Sequence, residues 1–509
     1  MSLRNKVFKN TVFNAIGRLS QMAVLLVITP FVFKYLGDEN YGVWSIVFLL
    51  SGFIPLFTFE FGQTYIKYVS EYYAKKDYNR INEIFNTGTI FYLIISAILI
   101  LLCIIFVDPL MQKVLKIPPD IFKETKISII LAFAVMCLHH VFSFFPGALN
   151  GIQRMDLTNI ALIVSSFIKL LGTFFVIKYD YGILGLTINV SVATLAKTLI
   201  FVILIAYKMP FLRLSLNKIK KEVFLKLFSF GAKLQIMRFT GTIAQKGLPL
   251  IISNLIGLKY VGYFMIARRL ANFLQMPFGF FFSSLMPAIS HLESIKKMDR
   301  VRYFYLKITK PLSFMIFFVI FASCIAIKPI IFAWMGKPLP ETTNLFYFLA
   351  VSFGINIALT GLGTTIMRGV ARPGYEVRLR LFRHFTTIIF SFIGAKYIGF
   401  NGVIAVLFII PIITAPYFSV KFSKFLNLNI YEFYSMVFPP FIAGLIIFFS
   451  ILPFQNYLYF LLTSRIERLL LAFLLIAIFA IFYILSQILF RVINFKDFKN
   501  NITSLLRQN

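Results

Sequence analysis

Eight basic side chains stand inside long apolar stretches of this sequence: Arg18, Lys169, Lys197, Lys233, Arg238, Lys246, Arg268 and Arg269. The acid that reads as lying well within such a stretch is Glu60, in FTFEFGQT. One carboxylate does not neutralise eight cations, and an ionisable group in hydrocarbon costs about 2.5–3.5 kcal/mol on insertion scales. These cations must reach an interface, lose a proton where they are lysines, or face a water-filled cavity. A wet cavity lined by guanidinium and ammonium groups attracts phosphate, because guanidinium stays charged and binds oxyanions in pairs of hydrogen bonds.

The spacing favours the cavity. Thr11, Asn14, Arg18 and Gln21 follow i, i+3, i+7, i+10 on one helical face, and Gln235, Arg238, Thr242 and Gln245 repeat that spacing. Lys246 and Ser253 fall in the same sector as the second set. Arg18 and Arg238 are 220 residues apart. The competing reading is hydrogen bonding between helices with the arginines reaching inward, and the paired placement argues against it. Arg268, Asn272 and Gln275 share a face at i, i+4, i+7, so Arg268 or Arg269 is expected to face the cavity rather than the outer interface. Lys169 and Lys197 stand mid-span and read equally well either way, whereas Lys233 reads as reaching the inner interface. Glu60 is a site for a coupling proton or cation, or a structural partner for an arginine. His139 and His140 titrate in a useful range but also suit a role as polar groups answered by a neighbouring helix. Cys103, Cys137 and Cys324 show no ligand spacing and read as small buried side chains. No cofactor, metal or catalytic motif is apparent.

The elements that must position these residues follow from composition. Of 509 residues 59% are hydrophobic and only 14% charged, with mean hydropathy +0.85. Water-soluble chains carry about 25% charged residues, so this one reads as an all-α polytopic membrane protein. Apolar windows predict fourteen spans, at 11–34, 41–62, 85–107, 127–148, 157–177, 183–207, 227–255, 260–288, 305–327, 343–365, 381–398, 402–420, 433–452 and 468–490. The first reads as a retained span and not a cleaved signal. A net charge of +32 would suggest nucleic acid in a soluble protein, but here most basic residues fall in short loops on one side. The basic segments 208–226 and 291–310 place both termini in the cytoplasm. The segment 108–126, on the other side, has four lysines accompanied by Asp108, Asp120 and Glu124.

The sequence also repeats itself. LGDENYGVWSI matches IGLKYVGYFMI, with Gly37 and Gly42 on Gly257 and Gly262; FVDPLMQKVLKIP matches AIKPIIFAWMGKP, with Pro109 and Pro118 on Pro329 and Pro338. Both offsets are 220 residues, and KYDYGILG resembles KYIGFNG at 217. The expected organisation is a six-helix lobe at 1–207, a basic linker at 208–226, a second six-helix lobe at 227–425, and two added helices with a tail at 426–509. Two copies inserted in one direction suit a transporter whose halves rock about a central cavity.

LGDENYGVWSIVFLLSGFIPLFTFEFGQTYIKYVSEYYAKKD (36–77) resembles the opening signature of Wzx-type polysaccharide flippases, in the multidrug/oligosaccharidyl-lipid/polysaccharide superfamily. PGALNGIQRMDLTNIALI (146–163) and VGYFMIARRLANFLQMPFGFFFSSLMPAISHL (261–292) are similar to two further family stretches. The resemblance implies an inner-membrane transporter, not an enzyme, that moves undecaprenyl-pyrophosphate-linked oligosaccharide outward by alternating access. It implies that helices 1, 2, 7 and 8 line the cavity, which coincides with Arg18, Arg238 and Arg268/Arg269. It also implies H+ or Na+ as coupling ion, or the membrane potential, and a polysaccharide polymerase with its chain-length partner as associates. The family often has Asp where this chain has Glu60. Three rivals are a lipid II flippase of the same fold, a multidrug exporter, and a membrane glycosyltransferase or polymerase. The excess of cations argues against the second, and the lack of large outer loops with carboxylates against the third.

Overall fold

The computed structural model describes residues 3–59, 61–294, 298–370 and 374–489; Glu60, and the side chains of Thr11, Lys233 and Arg238, lie outside what it describes. Among the described residues every regular element is helical, and the chain is an all-α polytopic membrane protein. It divides into two compact units, Met1–Gly262 and Tyr263–Asn509. The division falls beyond the basic segment 208–226, so the helix that follows that segment packs with the helices before it.

The first unit contains α1 (Leu3–Ser51), α2 (Phe61–Ala74), α3 (Tyr78–Pro109), α4 (Phe122–Val141), α5 (Phe144–Gly151), α6 (Met155–Lys178), α7 (Gly182–Lys208) and α8 (Lys221–Leu255). Helix α9 (Leu258–Ser294) begins there and continues into the second unit. The second unit adds α10 (Met298–Met335), α11 (Pro340–Asn356), α12 (Leu362–Gly369), α13 (Gly374–Ile398), α14 (Phe400–Phe425), α15 (Ile430–Leu461) and α16 (Arg465–Leu489).

The described residues of the fourteen expected spans fall on helical stretches, although 41–62 leaves the α-helix after Ser51 and 127–148 breaks after Val141. By length and composition, ten stretches among the described residues are apolar enough to cross a membrane. Helix α1 counts once there although Gly37, at φ 76° and ψ 179°, breaks it in two. The long helices outside the ten are α8, α9 and α13, each carrying several Lys or Arg. The figure of fourteen therefore rests on counting these cationic helices as spans.

Helix ends recur where the sequence repeats. Gly37 and Gly257 both have positive φ, as do Lys116 and Gly336, which are 220 residues apart and each stand two residues before a proline. A left-handed residue followed by proline ends a helix because it turns the backbone aside and then withholds a donor. The matching glycines Gly42 and Gly262 meet inside the first unit. A Cβ on Gly42 would strike the Leu258 carbonyl, and one on Gly262 would lie 3.1 Å from the Tyr41 ring and 3.3 Å from the Asp38 oxygen.

The basic segment between α7 and α8 is pinned rather than loose. Its backbone runs extended along α3, where two amides one helical turn apart act as strand partners. Asn82 Nδ2 donates to Phe211 O (3.0 Å) and its Oδ1 accepts from Arg213 N (2.9 Å). Asn86 Nδ2 donates to Arg213 O (2.9 Å) and its Oδ1 accepts from Ser215 N (2.8 Å). Thr87 Oγ1 then accepts from Lys220 N (3.1 Å). A helical turn of about 5.4 Å is close to the two-residue rise of an extended chain, so side chains at i and i+4 serve alternate residues. Each net hydrogen bond contributes about 1 kcal/mol. Asn82→Ala with Asn86→Ala is therefore expected to speed tryptic cleavage at Lys218, Lys220 and Lys221 roughly tenfold or more in the folded protein. Equal cleavage rates in the parent and the variant would show that the amides do not hold the segment.

Candidate functional site

The second unit contains a polar cavity of about 330 Å³ built by α9, α11, α12 and α13. From α9 come Gln275, Phe278, Gly279, Phe282 and Ser283. Gln275 belongs to the polar face that begins at Arg268, and the face below it is apolar except for Ser283. The α11–α12 side is interrupted by a π turn at Ile357–Gly361. Such a turn shifts the helical register and leaves carbonyls to be answered by side chains, and π turns gather at functional sites. Here hydroxyls do so: Thr360 donates to Asn356 O (2.7 Å), and Thr364 and Thr365 both donate to Gly361 O (3.0 and 2.9 Å). Gly361 also lets the Phe282 ring approach to where a Cβ would lie 2.5 Å away.

The electrostatics centre on Glu376, in the first turn of α13 and only 2% exposed. Its Oε2 accepts from Arg368 Nε (2.8 Å), and its Oε1 accepts from the Arg368 Nη2. Arg380 Nη2 lies 2.6 Å from the same Oε1, an i, i+4 pair along α13. Arg383 Nη1 donates to Asn356 Oδ1 at 2.7 Å, a neutral partner. His384 lies within electrostatic reach of Arg383, Arg380 and Arg268, which joins the α9 arginine to the group. The Arg268 guanidinium stands 5.6 Å from the Phe264 ring centroid. Arg368 and Arg380 thus share one carboxylate, with Arg383 held on an amide beside them, and no guanidinium sheds its charge at neutral pH. A polar, cation-rich cavity of this kind accepts an oxyanion, with amides and hydroxyls left over for sugar or water.

Of these residues, the sequence reading chose Arg268 and named Gln275 on its face; Arg269, its other choice, is half-buried on α9. It missed Arg368, Glu376 and Arg380 because the expected spans stopped at 365 and resumed at 381, and it passed over Arg383 inside the span 381–398. Helix α12 in fact continues to Gly369 and α13 starts at Gly374, so the buried Glu376 stands in the first turn of a helix rather than in a loop. The signal was present in EVRLR, a carboxylate with an arginine four residues on.

The remaining expected residues belong to the first unit and are lodged separately. Arg18 and Gln21 are exposed on α1, while Asn14 of the same stripe pairs with Asn159 of α6 (2.8 Å). Gln245 is exposed and Lys246 half-buried on α8. The Lys246 ammonium lies against Gly52, where a Cβ would be 2.6 Å from Nζ, beside the carbonyl end of α1. That end carries partial negative charge, which suits a cation. Gln235, on the same stripe, is buried and donates to Pro55 O (3.0 Å) and Leu56 O (2.8 Å). Lys197 lies within reach of His139 and His140, and His139 Nδ1 is 2.7 Å from Thr198 Oγ1 of the neighbouring α7. Lys169 is half-buried in α6, and its carbonyl accepts from Asn189 (2.9 Å). The side chain of Arg238, the repeat mate of Arg18, lies outside the described residues, as does the whole of Glu60.

The fold is that of a known class of membrane transporter. A multidrug resistance transporter of the MATE family, in the MOP superfamily, in an inward-facing conformation, aligns with a TM-score of 0.67 at 17% identity, over 81% of this chain and 98% of that one. A MATE transporter of Vibrio cholerae gives 0.60 at 15% identity, over 83% and 97%. A MOP superfamily transporter from Pyrococcus furiosus, whose binding pocket is described as having reverse polarity, gives 0.58 at 14%, over 83% and 97%. Sequence narrows this further. Residues 7–293 match the family described as polysaccharide biosynthesis protein, and the chain belongs to that family. A Shigella flexneri protein named for O-antigen transport is 21% identical over 297 residues, which is 58% of this chain and 69% of that protein. The chain is thus a member of the polysaccharide biosynthesis protein family on a fold shared with MATE transporters.

If Glu376 organises the arginines, removing it alone is worse than removing it together with one of them. Glu376→Gln is expected to lower stability by on the order of 2 kcal/mol, less than for a fully buried pair because both guanidiniums are half exposed. Arg368→Gln with Glu376→Gln is expected to lower it less than Glu376→Gln alone. Thermal unfolding of the purified variants checks the order, and additive losses would mean that the groups do not interact.

Proposed function

We propose that this protein is a flippase that carries undecaprenyl-pyrophosphate-linked oligosaccharide units from the cytoplasmic to the outer leaflet of the inner membrane, supplying a surface polysaccharide such as O-antigen or capsule. The observation that carries the reading is the cavity lined by Arg368 and Arg380, two guanidiniums that share the single carboxylate of Glu376, set in a chain of the polysaccharide biosynthesis protein family. The pyrophosphate supplies the anion that the guanidiniums accept. The glycan meets Thr360, Thr364, Thr365, Gln275 and Asn356, polar groups that replace part of its lost hydration. The isoprenoid tail stays in lipid. Both termini lie in the cytoplasm, and alternating access moves the head group across. Outward passage of negative charge is favoured when the inside is negative, so membrane potential assists the step, alone or with a coupling proton or Na+. Glu60 is the proposed site for that ion, and Arg18, Gln21, Lys169, Lys197, Arg238, Gln245, Lys246, Arg268 and Arg269 are the proposed further cationic and polar contacts along the path.

The test is genetic and chemical together. In cells lacking the chromosomal copy, Arg380→Ala with Arg383→Ala should reduce surface polysaccharide roughly ten- to a hundredfold at equal protein level, as expected for lost charge-assisted bonds. Lipid-linked repeat units should accumulate meanwhile on the inner face, and peptidoglycan synthesis should continue. Arg18→Ala with Arg238→Ala should act in the same direction. Normal export in both double variants would sink the anion-cavity mechanism, and arrest of peptidoglycan instead of one polysaccharide would identify a lipid II flippase.

A further inference from the structure

Helices α13 and α14 form a hairpin joined at Gly399, and near that end Gly394 and Gly402 bring the two backbones into contact, a Cβ on Gly394 falling 2.8 Å from the Gly402 oxygen. At the opposite end of the hairpin a groove of about 780 Å³ opens between them. Tyr375, Arg378, Leu379 and Phe382 contribute from α13 at i, i+3, i+4, i+7, and α14 answers with Ile413, Thr414, Tyr417 and Lys421. This is the face of α13 opposite to Glu376 and Arg380, so the groove and the polar cavity lie back to back on the same turns. The groove faces outward, with Phe382 60% and Ile413 64% exposed. Its lining is largely apolar except at one end, where Arg378 and Lys421 are both exposed and no carboxylate contributes.

An apolar trough with two cations at its mouth matches the outline of a lipid with a negatively charged head group. We propose that it holds an anionic phospholipid of the surrounding bilayer, its phosphate met by Arg378 and Lys421 and an acyl chain lying along Leu379, Phe382 and Ile413. The charge complementarity selects an anion, and the apolar floor selects one that carries a chain. A bilayer phospholipid is the occupant rather than an isoprenoid carrier because the groove opens to bulk lipid, where phospholipid is in large excess and fills the site by mass action. The assignment stands independently of what the transporter moves. Its consequence is regulatory: a phosphate at Arg378 steadies the first turns of α13, whose other face carries the Glu376–Arg380 pair, so the anionic lipid content of the membrane tunes the cavity.

The test places a reporter in the groove. Full-length protein with Phe382→Trp is reconstituted in nanodiscs containing brominated phosphatidylglycerol or brominated phosphatidylcholine at equal mole fraction, and quenching beyond that of the parent protein is read. Two cations near a phosphate give a roughly tenfold preference for phosphatidylglycerol, which Arg378→Gln with Lys421→Gln brings close to parity. Equal quenching by the two lipids, or a preference that survives the double variant, overturns the proposal. Should the double variant not elute as a single species, Arg378→Gln and Lys421→Gln taken singly must each reduce the preference about threefold. Relief of phosphatidylglycerol quenching by a polyprenyl phosphate at about one-hundredth of its mole fraction identifies a carrier site and also overturns the phospholipid assignment.

Discussion

A bilayer interior offers no water to a backbone group that has lost its helical partner. Three interruptions in these helices are answered by side chains brought from elsewhere in the same unit. Where α1 ends and the chain turns through Pro55 and Leu56, Gln235 of α8 donates to both carbonyls. Where α3 unwinds toward its left-handed Lys116, Ser253 and Asn254 donate to the carbonyls of Leu115, Lys113 and Val114, and Lys116 Nζ returns a bond to Asn254 O. At the corner before α7, Tyr35 accepts from Gly182 N and donates to Asp180, while Glu124 accepts from Leu184 N. These polar residues hold broken backbone in place, which is why several sit in stripes that resemble a binding face.

The same scarcity of solvent governs the charges. Glu376 gathers Arg368 and Arg380, and Asn356 occupies Arg383, so each guanidinium is oriented without being neutralised. Neutralising these three fully would need two more carboxylates and would leave nothing for a ligand. The described cations of the first unit are handled one at a time instead, by the carbonyl end of a helix for Lys246 and by exposure for Arg18. Among the described residues these cations are gathered in the second unit, whereas Arg18 and Lys246 stand apart in the first.

How much was legible in the sequence depended on the range of the interaction. Span positions followed from hydropathy because burial in lipid acts residue by residue, and the repeat followed from Gly37, Gly257 and their followers because helix ends need special backbone. Periodicity set Gln235 on a polar stripe but did not reveal its use, since a hydrogen bond to Pro55, 180 residues away, leaves no local trace. The assembled site was missed for a different reason. Arg378, Arg380 and Arg383 depress the hydropathy of α13, so a window sensitive to apolarity set the start of that span beyond Glu376 and Arg380. Helices α8 and α9 fall short in the same way, so the elements that carry the cations are those that hydropathy reads least well.

The amide clamp on the basic segment has a consequence for how the chain is made. Asn86 leaves the ribosome 129 residues before Ser215, the residue whose N–H it will accept. At about 5–20 residues per second this is a wait of roughly 6–26 s. For that interval the four polar atoms of two amides in the first turns of α3 must be kept hydrated, so the start of α3 cannot sink into hydrocarbon. The polar end of α3 then acts as a stop that fixes the helix at its depth until α7 has been inserted and the segment arrives to cover it.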